Sequence, residues 1–223
     1  MSITLLLLLI PMGLVVLAQM ALSATYKKYS KIPNSRGLTG EQVARAILDR
    51  NGLHDVQIYK GHGQLSDYFD PKNNLIKLSP DVYSGSSIAS LAVAAHEVGH
   101  AIQYATKYSI IGFRNLVLPM AIGAGNVAWI VIIAAFIFGQ TQLLWLGVGL
   151  MVVIAIFQLL TLPLEFNASS RALRILEDEN FLTYEEVPQA RKVLNSAAMT
   201  YVVALIVTLA EIARLIIISM MND

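Results

Sequence analysis

No cysteine occurs anywhere in the 223 residues. Disulfides are excluded, and any zinc site must be built from histidine and carboxylate. Charge is scarce too: Asp, Glu, Lys and Arg together make up 14% of the chain, and the net charge is +1. That supply cannot build the basic face that binds nucleic acid. Internal repeats and low-complexity tracts are missing. No Lys or Arg stands ahead of the first apolar run, so the basic leader of a cleaved signal peptide is lacking and an uncleaved membrane helix is expected there. What is plentiful is apolar. The chain is 56% hydrophobic with a mean hydropathy of +0.60, which points to a membrane protein.

Four apolar runs are long enough to cross a bilayer: 3–22, 116–138, 143–162 and 197–220. The second and third are separated only by Gly139-Gln140-Thr141-Gln142, so they form an antiparallel hairpin. Polar chain fills 23–115 and 163–196. Apart from Arg214, every Lys and Arg lies in one of those two segments, and none lies at 139–142 or 221–223. The positive-inside rule then puts both polar segments in the cytoplasm and both termini outside, in a multi-pass protein of the cell membrane. Glu211 and Arg214, three apart in the last run, suit a mutual ion pair facing other helices.

The first polar segment has the pattern of a small α+β unit. Thr39-Gly40-Glu41-Gln42 fits a capping box, and Val43, Ala46 and Ile47 continue it as a helix that Asn51-Gly52 stops. Asp55 to Lys60 alternates as a short strand, Asp70 to Asn74 is turn chemistry, and Leu75-Ile76-Lys77-Leu78 is a second strand. A further capping box, Thr183 to Glu186, opens a helix in the second segment.

Residues 86–106 then form a helix carrying His96-Glu97-Val98-Gly99-His100, an H-E-x-x-H. Chance placement in a chain of this composition gives that motif about 0.3% of the time. On a helix the two histidines are one turn apart and share a face, so both imidazoles can bind one metal. Leu91, Ala92, Val93, Ala94, Ala95, Val98, Ala101 and Ile102 surround them with apolar positions. Two histidines and a glutamate in such a helix are costly without a strong partner. This is the arrangement of a zinc hydrolase, in which two neutral nitrogens hold Zn²⁺ and Glu97 takes a proton from water.

A catalytic zinc site takes three protein ligands. Of the remaining histidines, His62 in Gly61-His62-Gly63 has a flexible setting. Glu165, just past the third apolar run, is returned towards the motif by the helical hairpin. The alternative for Glu165 is an interfacial carboxylate near a helix N-terminus, and the residues alone leave both readings open.

HEVGHAIQ at 96–103, two apolar runs and then LPLEFNAS at 162–169 make up a recognisable order. Together with Thr39-Gly40-Glu41, LSDYFDP at 65–71 and LSPDVY at 78–83, it resembles the YugP-type neutral zinc metallopeptidases of bacterial membranes. The organisation is also similar to the broader HtpX-like membrane proteases. The resemblance implies a zincin-like catalytic unit, His96, His100 and Glu165 as ligands of one zinc per chain, and Glu97 as catalytic base. The chain departs from the family pattern at Asn167, where an Asp is expected, and at Tyr68, where a His is expected. At Asn167 a carboxylate able to orient a ligating histidine becomes a neutral amide.

The expectation is therefore a mainly α membrane protein with a small cytoplasmic α+β unit that hydrolyses peptide bonds of membrane or unfolded proteins. Its partners are protein or peptide substrates and the lipid bilayer. Arg171 is the chosen oxyanion donor among Arg171, Arg174, Tyr68 and His62. Lys77 between Ile76 and Leu78 marks 75–78 as an edge strand, and an edge strand can pair with an extended substrate. The alternative is a non-catalytic membrane adaptor or chaperone-like protein stabilised by zinc. Intact Glu97 speaks against that alternative, because a structural zinc needs no base.

Overall fold

The computed structural model describes residues 3–222. In chain order the elements are α1 (Ile3–Tyr29), α2 (Gly40–Arg50), β1 (Gln57–Lys60), β2 (Tyr68–Asp70), β3 (Leu75–Leu78), α3 (Pro80–Tyr83), α4 (Ile88–Ala105), α5 (Ser109–Phe138), α6 (Thr141–Asp178) and α7 (Val187–Asn222). The chain divides into two compact units. One holds Met20–Ile111 and Leu164–Ala198, the other Met1–Gln19, Gly112–Pro163 and Met199–Asp223.

The first of these is the α+β unit. Thr39 caps α2: its hydroxyl accepts from the Gln42 N–H while the Gln42 side chain accepts from the Thr39 N–H. The helix ends at Asn51, and Gly52 follows with a φ of +71°, a left-handed conformation that glycine adopts at no steric cost. The sheet order is β1-β3-β2, with β1 parallel and β2 antiparallel to β3. Asp70 makes the β2–β3 turn by accepting from the N–H groups of Lys72 and Asn73. Ile58, Phe69 and Ile76 stand in register on one face. That face joins a core in which Ile47, Leu48, Ile76, Leu78, Ile88, Leu91 and Leu176 are fully buried. Burial of each such side chain contributes roughly 1.5–3 kcal/mol. The N-cap of α4 is Ser87, whose hydroxyl accepts from the Ser90 N–H.

In the other unit Ala128, Ile132, Ala135, Leu144, Val148, Met151 and Leu215 form a separate apolar cluster. Gly147 makes close approach possible there, since a Cβ at that position would lie 2.7 Å from Cγ1 of Ile132. Leu116, Ile130, Ile137 and Phe138 expose most of their surface. Four helices, α1, α5, α6 and α7, are long and apolar enough to cross a membrane. Lipid is the solvent that such exposed apolar faces suit. Arg214 donates through Nε and a terminal nitrogen to both carboxylate oxygens of Glu211, so these two charges satisfy one another.

One expectation needs correction. The strand Leu75–Leu78 is the central strand, paired on both sides, and is no edge. Lys77 misled because a lysine suits the exposed face of a sheet as well as its edge. It lies opposite Tyr59 and Tyr68, with Nζ 5.9 Å from the Tyr68 ring centroid. The strand that periodicity missed, β2, is only three residues long. Helix α6 is one 38-residue helix that runs through Pro163 and carries Glu165.

Candidate metal centre

Helix α4 supplies His96, Glu97 and His100, and helix α6 supplies Glu165. Their meeting depends on how closely the two backbones approach. A Cβ on Gly99 would lie 2.8 Å from the carbonyl oxygen of Ala168, and Ala168 is itself fully buried. The glycine inside H-E-x-x-H therefore lets α6 pack directly on the motif.

Three atoms able to ligate a metal lie close together. His96 Nε2 and His100 Nε2 are 3.2 Å apart, His96 Nε2 is 3.4 Å from one Glu165 oxygen, and His100 Nε2 is 3.7 Å from the other. Zinc bonds of about 2.0–2.2 Å in a tetrahedron place neighbouring ligand atoms about 3.3–3.6 Å apart, so the donor set fits the ion. The side chains are 16%, 19% and 12% exposed for His96, His100 and Glu165, so the cluster is mostly but not fully buried. Among the described residues this is the only such cluster of three or more metal-ligating side chains.

Electrostatics favour a cation here. Burial opposes an imidazolium at His100, yet Glu165 and Glu97 outweigh it and take the His100 pKa up to about 9. Burial pushes the Glu97 carboxyl up from its ordinary value, against the attraction of His96 and His100.

Both histidines are held from behind. His96 Nδ1 lies 3.1 Å from Ser169 Oγ on α6. His100 Nδ1 lies 3.0 Å from Gln103 Oε1, one turn along α4. Gln103 Nε2 donates to the Leu164 carbonyl and to Asn167 Oδ1, and Arg171 Nε donates to the same Asn167 oxygen. Sequence reading overlooked Gln103, Ser169 and Gly99. Their signals were a glutamine one turn past His100, a serine one turn past Glu165, and a glycine inside a helix.

The remaining candidates sit elsewhere. His62 is exposed and outside the metal-ligating cluster. Arg171 is engaged with Asn167, and Arg174 is exposed. Tyr68 lies at the start of β2, beside Asp67, whose carboxylate accepts from the Ser79 N–H and hydroxyl. Leu75, Ile76, Lys77 and Leu78 have no free backbone edge to offer a substrate.

Residues 4–220 match the profile of a family described as "Putative neutral zinc metallopeptidase". The chain is 42% identical over 207 residues to the "Putative membrane protease YugP" of Bacillus subtilis, an alignment that covers 93% of this chain and 92% of that protein. No solved structure matches.

Proposed function

Because the chain belongs to this family of neutral zinc metallopeptidases, we propose that it is an integral-membrane zinc metalloendopeptidase that cuts membrane or unfolded proteins at the cytoplasmic face. The observation that carries the reading is the convergence of His96, His100 and Glu165, with Glu97 buried beside them. His96 and His100 hold one zinc through Nε2 and Glu165 through its carboxylate, in a zincin-like unit. Zinc, when bound, supplies a Lewis acid that polarises a carbonyl and acidifies water. Glu97 does the proton work. Its carboxylate takes the proton from the attacking water and returns it to the leaving amide nitrogen. The cytoplasmic placement rests on the basic residues, which lie in 23–115 and 163–196 apart from Arg214.

Substrate docking moves from β3 to β2. Both outer strands, β1 and β2, have one edge unpaired, and Phe69 in β2 packs edge-on to Tyr104 of α4 with ring centroids 5.5 Å apart. An extended peptide paired to that edge by its backbone runs alongside the motif helix, which selects unfolded chain over particular side chains. The deciding experiment compares purified wild type with Glu97→Gln on an unfolded protein substrate. Retained fold and zinc with lost cleavage supports the peptidase. Equal, zinc-independent activity in both proteins would sink it, and loss of folding in the variant points to the adaptor instead.

A further inference from the structure

Gln103 is fully buried and uses both ends of its amide. Which end faces His100 follows from its neighbours. A backbone carbonyl can only accept and a guanidinium can only donate. Arg171 Nε–H therefore fixes Asn167 with Oδ1 towards it, 2.8 Å away. That oxygen, 3.0 Å from Gln103, and the Leu164 carbonyl, 2.8 Å from Gln103, both require donors. The NH2 group of Gln103 must serve them, so its Oε1 faces His100. An oxygen 3.0 Å from His100 Nδ1 requires the proton on Nδ1. The lone pair of the neutral ring is then on Nε2, the nitrogen that faces His96 and Glu165.

We propose that Gln103 is a positioning residue for the metal centre. Its amide sets the proton on His100 Nδ1 and clamps α4 to α6 at Leu164, the residue before Glu165. One side chain thus orients two of the three ligands. It also accounts for Asn167: the clamp uses a single acceptor oxygen, which an amide provides as well as a carboxylate does. The inference rests on the zinc reading above.

The test uses the full chain in detergent with zinc as the probe. Zinc affinity is measured by competition with a chelator, thermal stability by melting, and the histidine tautomers by ¹⁵N spectra. In wild type His100 carries its proton on Nδ1. Gln103→Met keeps the shape and removes all three hydrogen bonds, and zinc affinity falls about 10–100-fold. Gln103→Glu keeps the acceptor for His100 but turns an oxygen towards the Leu164 carbonyl, a buried clash that costs stability. Zinc affinity is therefore higher in Gln103→Glu than in Gln103→Met, while melting temperatures run the opposite way. Affinity that merely follows melting temperature through the two variants would reduce Gln103 to packing and overturn the proposal. A wild-type His100 with its proton on Nε2 overturns it from the native protein alone, even if neither variant folds. Wild type that takes up no zinc removes the zinc reading itself, a different failure.

Discussion

Glu97 is 8% exposed and follows His96 in sequence, yet it lies outside the cluster of His96, His100 and Glu165. A buried carboxylate with a raised pKa opposes folding in its charged form, because burial disfavours the charge. Glu97→Gln is therefore expected to melt at the same temperature as wild type or higher, with zinc retained. Peptide cleavage should fall about 10²–10⁴-fold, the usual span for losing a general base. A variant that melts lower and loses zinc would make Glu97 a structural residue. At this scale His96 and His100 were legible as a pair because helical spacing alone puts them on one face. Glu165 stayed open on the residues, since two helices have to meet before it can join them. Gln103 and Ser169 offered only the weak signal of a polar residue one turn from a metal-ligating side chain, because a hydrogen bond to a ring nitrogen leaves no periodic trace.

Close packing of α4 on α6 builds the centre, and Gly99 is where it is tightest. Alanine favours a helix by about 1 kcal/mol over glycine. At Gly99 the added methyl meets the Ala168 carbonyl, backbone that no rotamer change can move aside. Overpacking of this kind costs about 1–3 kcal/mol, so packing outweighs propensity. Gly99→Ala should lower stability and weaken zinc binding together, read by melting and chelator competition. Unchanged zinc affinity would mean that Glu165 does not depend on this contact. Helices were the legible elements: the capping box at Thr39 and the four apolar runs marked α1, α2, α5, α6 and α7. The short sheet was harder. One lysine in a four-residue strand cannot distinguish an edge from an exposed face, and β3 proved central. Pro163 lies inside α6, and membrane-spanning helices tolerate an interior proline where neighbouring groups satisfy the freed backbone.

Across the whole chain, hydropathy was the legible signal. Composition pointed to a membrane protein, and four helices suited to crossing one are present. Because the chain has no cysteine, single cysteines report orientation cleanly. A cysteine at Gln140 should react with an impermeant reagent from outside, and one at Asn73 or Gln189 should not. The opposite pattern would move the site to the outer face and change the class of substrate. The central claim, one metal held by three named side chains, is tested most directly by metal analysis of the purified chain. Wild type and Glu97→Gln should each carry about one zinc, as a single three-ligand site requires. His96→Ala, His100→Ala and Glu165→Ala should each lose nearly all of it. Full zinc in folded Glu165→Ala would contradict the account.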